Sequence, residues 1–270
     1  MGASFLITLR EGLEIAIVLA ILLSYLVKSG RREEIAEVWR GASLAVGLCV
    51  VGGIAFHLFV GEFEGKPEQF IEGTIAVLAA SVLTWMIFWM RKNSRSLGAD
   101  LRSKVDAATT TKALIAISFV AVLREGLETV LFLLSAETES SSGASVVVGG
   151  LLGLVVAAIL GRLFYTAGHR LNLRTFFNVT GILLILFAAG LVGKAFHEFR
   201  ELLGFEDGWL ITNAWTVTSG ALASGTFYEF LKGFFGWHAE TERIRLFAYV
   251  AYLLPVAYLF LRHSKNNEIH

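Results

Sequence analysis

The sequence has little cysteine, proline or charge. It holds one cysteine and two prolines, and Lys, Arg, Asp and Glu together make up 17% of its 270 residues, against roughly 25% in an average soluble protein. The single cysteine, Cys49, excludes an internal disulfide and a Cys-x-x-Cys metal site. The formal net charge is zero, so the chain lacks the basic excess of a nucleic-acid-binding protein.

Apolar residues are correspondingly abundant. They form 55% of the chain, and the mean hydropathy is +0.65. Several runs approach or exceed the ~20 residues that cross the hydrocarbon of a bilayer as a helix. Lipid cannot satisfy open backbone groups, so every span should be helical. We therefore expect an all-α, polytopic membrane protein with seven transmembrane helices. The predicted spans are residues 3–27, 39–60, 70–90, 113–136, 145–165, 176–195 and 246–262.

The hexapeptide LREGLE occurs twice, at Leu9–Glu14 and at Leu123–Glu128. Residues 6–19 and 120–133 align at an offset of 114, with seven identities in fourteen positions. Each copy opens a group of three predicted spans, so the two groups cross the membrane in opposite directions. Inverted repeats are common in secondary transporters, whose sites lie near the middle of the membrane. Duplication in a fold without transport is the alternative, but ionisable groups inside a membrane favour transport.

This repeat divides the chain into three predicted parts. A transmembrane transport unit occupies residues 1–195 and consists of inverted three-helix repeats at about 1–90 and 113–195. An external connection with interfacial helices follows at 196–245. The seventh span and a cytoplasmic tail form residues 246–270.

The two motifs carry six ionisable side chains. They are Arg10, Glu11, Glu14, Arg124, Glu125 and Glu128. Each costs about 2.5–3.5 kcal/mol at the centre of a helix in lipid if nothing compensates it. Within each copy, side chains three and four residues apart share a helix face and can pair. Two arginines against four glutamates leave a formal charge of −2, which must be protonated or matched by a cation.

Two interpretations of these six side chains differ in how they account for the surplus negative charge. In the structural one, each arginine pairs with its own glutamates and holds helices together, which leaves the surplus unexplained. In the functional one, the four carboxylates bind a hard cation through oxygen, the ligand type that such ions prefer. Arg10 and Arg124 would then be supporting groups that position the carboxylates and limit the negative charge of the site.

Two motifs of this kind in the first and fourth spans resemble the high-affinity iron permease family, which includes fungal Ftr-type and bacterial EfeU-type permeases. The resemblance covers essentially the whole chain. It implies iron uptake across the cytoplasmic membrane, with Glu11, Glu14, Glu125 and Glu128 as ligands of the transported metal. It also implies an external or periplasmic oxidase, peroxidase or electron-transfer partner, which would hand over the iron in the ferric state. We expect no enzymatic activity and no permanently bound cofactor, because iron is the substrate.

Two other functions use some of the same features. Carboxylates alone do not choose among cations, so a permease for lead or manganese is one alternative. An intramembrane redox protein is the other. Haem ligation needs histidines inside spans, and only His57 of the six histidines lies within a predicted span.

Polar residues near the predicted external surface are weaker candidates for access or gating. Glu72 opens the third span, where it would guide the cation or lie in the hydrated headgroup layer. His197, Glu198 and Glu201 follow the sixth span. His197 and Glu201 are one helical turn apart and can share a cation, although we favour the alternative of an acidic amphipathic cap on the membrane surface.

A stretch of small residues in the fifth span predicts close helix packing. Gly149, Gly153, Ala157 and Gly161 recur at four-residue spacing. Small side chains at this spacing let another helix approach closely. We therefore assign this stripe to packing and not to a binding site.

The distribution of Lys and Arg predicts the orientation. Fifteen of the 23 lie in the connections or at the span ends on one side of the seven-span arrangement, and six lie on the other. The richer side is normally cytoplasmic. The N-terminus should then be outside and the C-terminus cytoplasmic. A reporter fused at residue 100 should report a cytoplasmic position, and one fused at residue 141 an external position. The opposite reading at either point would contradict this orientation.

Overall fold

The computed structural model describes residues 1–93, 99, 103, 105–107, 110–140, 143–167, 173–205 and 207–266. Positions 100 and 141, proposed for the reporters, lie outside these residues, as does much of the basic connection before residue 110. Eight α-helices dominate the described part of the chain, which confirms the all-α class. They are α1 (Gly2–Lys28), α2 (Ile35–Val60), α3 (Lys66–Asn93), α4 (Thr111–Thr138), α5 (Gly143–Ala167), α6 (Leu173–Leu202), α7 (Thr226–Phe235) and α8 (Arg243–Asn266).

The remaining regular structure is small. A 3-10 turn, Arg32–Glu34, leads into α2. Strands β1 (Asn213–Thr216) and β2 (Glu240–Glu242) pair antiparallel on either side of α7. The described residues of the region predicted to be an external connection therefore hold this two-stranded sheet and one short helix. Helix α6 continues to Leu202, beyond the predicted end of the sixth span.

Among the described residues, five helices are long and apolar enough to cross a membrane. These are α2 with its preceding turn, α3, α5, α6 and α8, and they make the chain a multi-pass membrane protein. Helices α1 and α4 have 27 and 28 residues, which is also long enough. Their apolar sequence is interrupted by the motif charges, so the count of seven spans stays a prediction.

The motif helices α1 and α4 contact each other at the centre of the bundle. Helix α1 packs most extensively on α5, α4 on α2, and α3 on α6. Helices α2 and α5 expose large apolar side chains over much of their surface, including Val51 and Leu151. Such faces suit lipid, so the charged helices lie inside and the apolar helices surround them.

Small residues permit the closest of these contacts. Gly149 and Gly153 of α5 lie against Ser4 and Thr8 of α1, and the Thr8 hydroxyl donates to the Gly150 carbonyl at 2.8 Å. The packing role predicted for this stripe is confirmed.

Both motif segments lie between two apolar clusters. Ile7 of α1 and Phe132 of α4 belong to a cluster with α3 and α6. Val18 of α1 and Val122 of α4 belong to a second cluster, with α2. The charged residues 10–14 and 124–128 therefore occupy the middle of the bundle, enclosed along the helix axes by apolar side chains.

Gly153→Ala tests the α1–α5 contact. A methyl group there would meet Thr8 Oγ1, the Phe5 carbonyl and the Leu9 nitrogen within 3 Å. We expect a loss of about 1–3 kcal/mol in the free energy of unfolding, typical of overpacking. Thermal unfolding of the detergent-solubilised protein would measure it. The matched control is Gly47→Ala on α2, where a methyl group meets nothing within 4 Å and helix propensity should stabilise slightly. Equal stability of the two variants would contradict the predicted contact.

Candidate metal centre

Three glutamates from the two motifs come together between α1 and α4. Glu11, Glu14 and Glu125 each offer a carboxylate oxygen, and these oxygens all lie within 4.8 Å of one another. A hard cation holds its oxygen ligands at about 2.0–2.6 Å, so oxygens bound to one ion are at most ~5 Å apart. The spacing of the three carboxylates therefore fits a single cation.

The carboxylates are buried and incompletely hydrogen-bonded. Glu11 has no exposed surface, and within the described part of the chain neither of its carboxylate oxygens has a hydrogen-bond partner. One buried carboxylate oxygen of each of Glu14, Glu125 and Glu128 also lacks a hydrogen-bond partner. A buried polar atom without a partner costs roughly 1–3 kcal/mol, and more if it is charged. Such oxygens are available to coordinate a cation.

Each arginine contacts glutamates of its own motif, as the sequence predicts. Arg10 Nε lies 3.4 Å from Glu14 Oε1. Arg124 Nε donates to Glu128 Oε1 at 3.1 Å and lies 3.8 Å from Glu125 Oε1. Glu128, the fourth predicted ligand, is outside the group of three and is held by Arg124. The structure thus brings three of the four together and shows what restrains the fourth.

The two arginines differ in their surroundings. The side chain of Arg10 is 2% exposed, whereas that of Arg124 is 35% exposed. The Arg124 guanidinium lies over the Trp89 ring at 4.4 Å and near Trp85 at 5.8 Å. Cation–π contacts of this kind stabilise a guanidinium by roughly 0.5–2 kcal/mol. Sequence reasoning missed both tryptophans, although their four-residue spacing places them on one face of α3.

Glu72, a candidate for access or gating, is paired with a lysine. Lys194 Nζ lies 2.6 Å from Glu72 Oε2, 3.8 Å from Glu198 Oε1 and 3.0 Å from the Thr138 carbonyl oxygen. Lys194 is buried. Sequence reasoning missed its role, although a lysine inside the sixth predicted span needs a partner.

His197 and Glu201 belong to a second charged group. His197 Nδ1 lies 3.2 Å from Glu242 Oε2, and His197 Nε2 lies 3.5 Å from Glu201 Oε1. Arg200 contacts Glu242 at 3.0 Å and Glu201 at 3.1 Å. These ion pairs connect α6 to β2, which favours the structural interpretation of the cap.

Glu139, at the end of α4, was not expected from the sequence. It is buried and contacts Arg245 at 2.9 Å and His238 at 3.1 Å. Burial by itself raises the pKa of the Glu139 carboxyl, but the charge of Arg245 and the neighbouring His238 outweigh burial and hold that pKa well below its usual range. Glu139 therefore stays ionised and ties α4 to α8.

A cluster of buried carboxylates inside a multi-pass helical protein is the arrangement expected of a metal-ion transporter. Comparison with known families agrees. The model of the Iron permease FTR1 family matches residues 1–262, and the chain belongs to this family.

Curated relatives match over nearly their whole length. A protein named ferrous iron permease EfeU in Escherichia coli O6:H1 is 37% identical over 269 residues, which cover 97% of this chain and 95% of the relative. The protein of the same name in Yersinia pestis is 37% identical over 268 residues, covering 96% and 93%. That of Shigella sonnei is also 37% identical, covering 96% and 95%. No solved structure matches the chain.

Arg→Lys substitutions test the positioning role of the motif arginines. A lysine keeps the charge but cannot hold a carboxylate with a planar fork of donors. We expect Arg10→Lys to lower thermal stability and metal binding more than Arg124→Lys, because Arg10 is fully enclosed. Arg40→Lys is the control, since Arg40 is largely exposed beside Glu37. Unchanged metal binding by the double variant at positions 10 and 124, measured by calorimetry, would contradict the role.

Proposed function

We propose that the protein is an iron permease that carries iron across the cytoplasmic membrane through the carboxylates of its two motifs. The proposal rests mainly on the buried group of Glu11, Glu14 and Glu125. These residues come from two central helices and have carboxylate oxygens without hydrogen-bond partners. Membership of the iron permease family and the names of the relatives support iron as the cargo.

The helix contacts support two inverted repeats. Positions of α4 follow those of α1 by 114 residues, and positions of α5 follow those of α2 by 108. The equivalent contacts are Gly41–Ser118 with Gly149–Ser4, Gly126–Cys49 with Gly12–Ala157, and Gly53–Val130 with Gly161–Ala16. A pseudo-twofold axis passing between α1 and α4 accounts for all three pairs. In this arrangement the two motifs face each other at the axis, where the repeats of a transporter meet.

The bundle has two poles, which the orientation from Lys and Arg assigns to the two sides of the membrane. The external pole is the end at which α1, α3 and α8 begin and α4 and α6 end. The opposite, cytoplasmic pole is the end at which α8 finishes. Rocking of one repeat against the other would expose the motif carboxylates to each pole in turn.

The charge of the site is compatible with either oxidation state of iron. Four glutamates and two arginines leave a formal charge of −2, which a divalent ion neutralises and a trivalent ion exceeds. The names of the relatives specify ferrous iron, and this favours the divalent ion at the site. Delivery of ferric iron by an external oxidising partner, implied by the resemblance, is the competing form of the proposal.

The alternatives have less support. His57, the one histidine within a predicted span, is exposed and lies 3.0 Å from Glu137, so it is poorly placed for a buried haem. Lead or manganese fits the same oxygen ligands. Family membership is what favours iron over these ions.

Glu→Gln substitution at positions 11, 14, 125 and 128 tests the site. Each change keeps the shape of the side chain and removes its charge, so iron uptake should fall at least about tenfold, the usual range for damaged metal sites. Glu33→Gln, an exposed change beside α2, should leave uptake unchanged.

The assay is accumulation of radioactive iron by reconstituted vesicles, corrected for protein abundance. Supplying the metal in ferrous and then in ferric form distinguishes the two oxidation states, and competition with manganese or lead tests selectivity. Wild-type uptake by all four variants would show that the site is assigned to the wrong residues.

A further inference from the structure

Lys194 is a buried cation surrounded by oxygen atoms. Its ammonium group contacts the carboxylates of Glu72 and Glu198 and the carbonyl oxygen of Thr138, and the residue is 4% exposed. A lysine loses hydration and conformational freedom when it is buried in this way, so these contacts must compensate for the loss.

The contacts of Lys194 join three helices at one pole. Glu72 lies near the start of α3, Thr138 is the last residue of α4, and Lys194 and Glu198 lie in the last third of α6. The adjacent Glu139–Arg245 pair adds α8 to the same group. Thr138 is ten residues beyond Glu128 on one helix, which is about 15 Å along the axis. Lys194 therefore joins helices at the external pole without touching the motif carboxylates.

The cytoplasmic pole has no charge at the equivalent positions. The 108-residue offset that relates α2 to α5 also aligns residues 72–90 with 180–198, with five identities. Under this alignment, Glu72, Lys194 and Glu198 correspond to Thr180, Met86 and Met90. These three residues are all buried. At these equivalent positions, therefore, one pole carries ion pairs and the other carries buried neutral side chains.

We propose that Lys194 is a gate residue of the external pole, which an incoming metal cation opens by taking Glu72 and Glu198 from the ammonium group. This inference rests on the proposed function. At equal distance, a divalent or trivalent ion attracts a carboxylate two or three times as strongly as an ammonium does. The ammonium is compact and strongly hydrated, so water can receive it once it is released. The neutral residues Thr180, Met86 and Met90 at the equivalent cytoplasmic positions offer a cation no such exchange.

Labelling of a cysteine behind the gate tests the proposal. Ser135 on α4 is fully buried one turn inside Thr138, so Ser135→Cys reports opening of the external pole. The parent protein carries Ser135→Cys. It also carries Cys49→Ala, which removes the natural cysteine; alanine suits this position because Ala157 occupies the equivalent position in the other repeat. The measurement is the rate of modification by a membrane-impermeant thiosulfonate in vesicles, with and without anaerobic ferrous iron.

We expect slow labelling of the parent and faster labelling when iron is added. Lys194→Met should label roughly tenfold faster without iron, as when a minor open state rises from about 1% to 10% of the population. Lys66→Met, which removes an exposed lysine at the start of α3, should label at the rate of the parent.

A triple variant keeps the test informative if Lys194→Met does not assemble. Glu72→Thr, Lys194→Met and Glu198→Met together reproduce the neutral residues of the cytoplasmic pole, so labelling should be slow with or without iron. The gate assignment is overturned if Lys194→Met labels at the parental rate, or if iron accelerates the triple variant as it does the parent. A wild-type protein that accumulated no iron would instead overturn the proposed function and leave these labelling rates unchanged.

Discussion

Charges within the bundle must be neutralised by the protein itself, because lipid cannot solvate them. This requirement accounts for the position of α1 and α4, which carry the motifs and lie at the centre. The five clearly apolar helices surround or flank them. The arginines supply part of the compensation, at 3.4 Å for Arg10 with Glu14 and 3.1 Å for Arg124 with Glu128. The carboxylate oxygens left over are what make the centre suitable for a cation.

Close approach of the helices is a second condition for such a site. Carboxylates on two helices reach the same ion only if the helices are held near each other, and bulky side chains would separate them. Gly12 lies against Ala157, and Gly126 lies against Cys49. The glycine within each motif therefore serves the packing of its helix against the neighbouring repeat. The charged residues on either side of this glycine form the candidate metal centre.

The two poles differ in how they resist opening. Neutral packing, as at Met86 and Thr180, is lost only by separating the helices. An ion pair can instead be broken when another cation takes its carboxylate. Lys194 forms such pairs at the pole where, in the proposed function, iron would arrive from outside. In the proposed mechanism, the symmetry of the two repeats would let one bundle face both sides of the membrane in turn. The proposed gate uses the departure from this symmetry at Lys194, which would let the external side respond to the cargo.

The sequence by itself predicted features that depend on short stretches of chain. Helical spans follow from the length of apolar runs, because a helix satisfies its own backbone in lipid. The pairing of Arg10 with Glu14, and of Arg124 with Glu128, follows from one turn of helix. The repeated motif also pointed to the four carboxylates and, through family resemblance, to iron.

Only the tertiary structure decided which distant residues meet. It joined Glu11 and Glu14 to Glu125 and left Glu128 with Arg124. It placed Trp89 beneath Arg124, and it paired Glu139 with His238 and Arg245, about a hundred residues further along the chain. The pairing of Lys194 with Glu72 belongs to the same class. Helical periodicity orients a side chain relative to its own helix, whereas contacts between helices depend on the packing of surfaces that are remote in sequence.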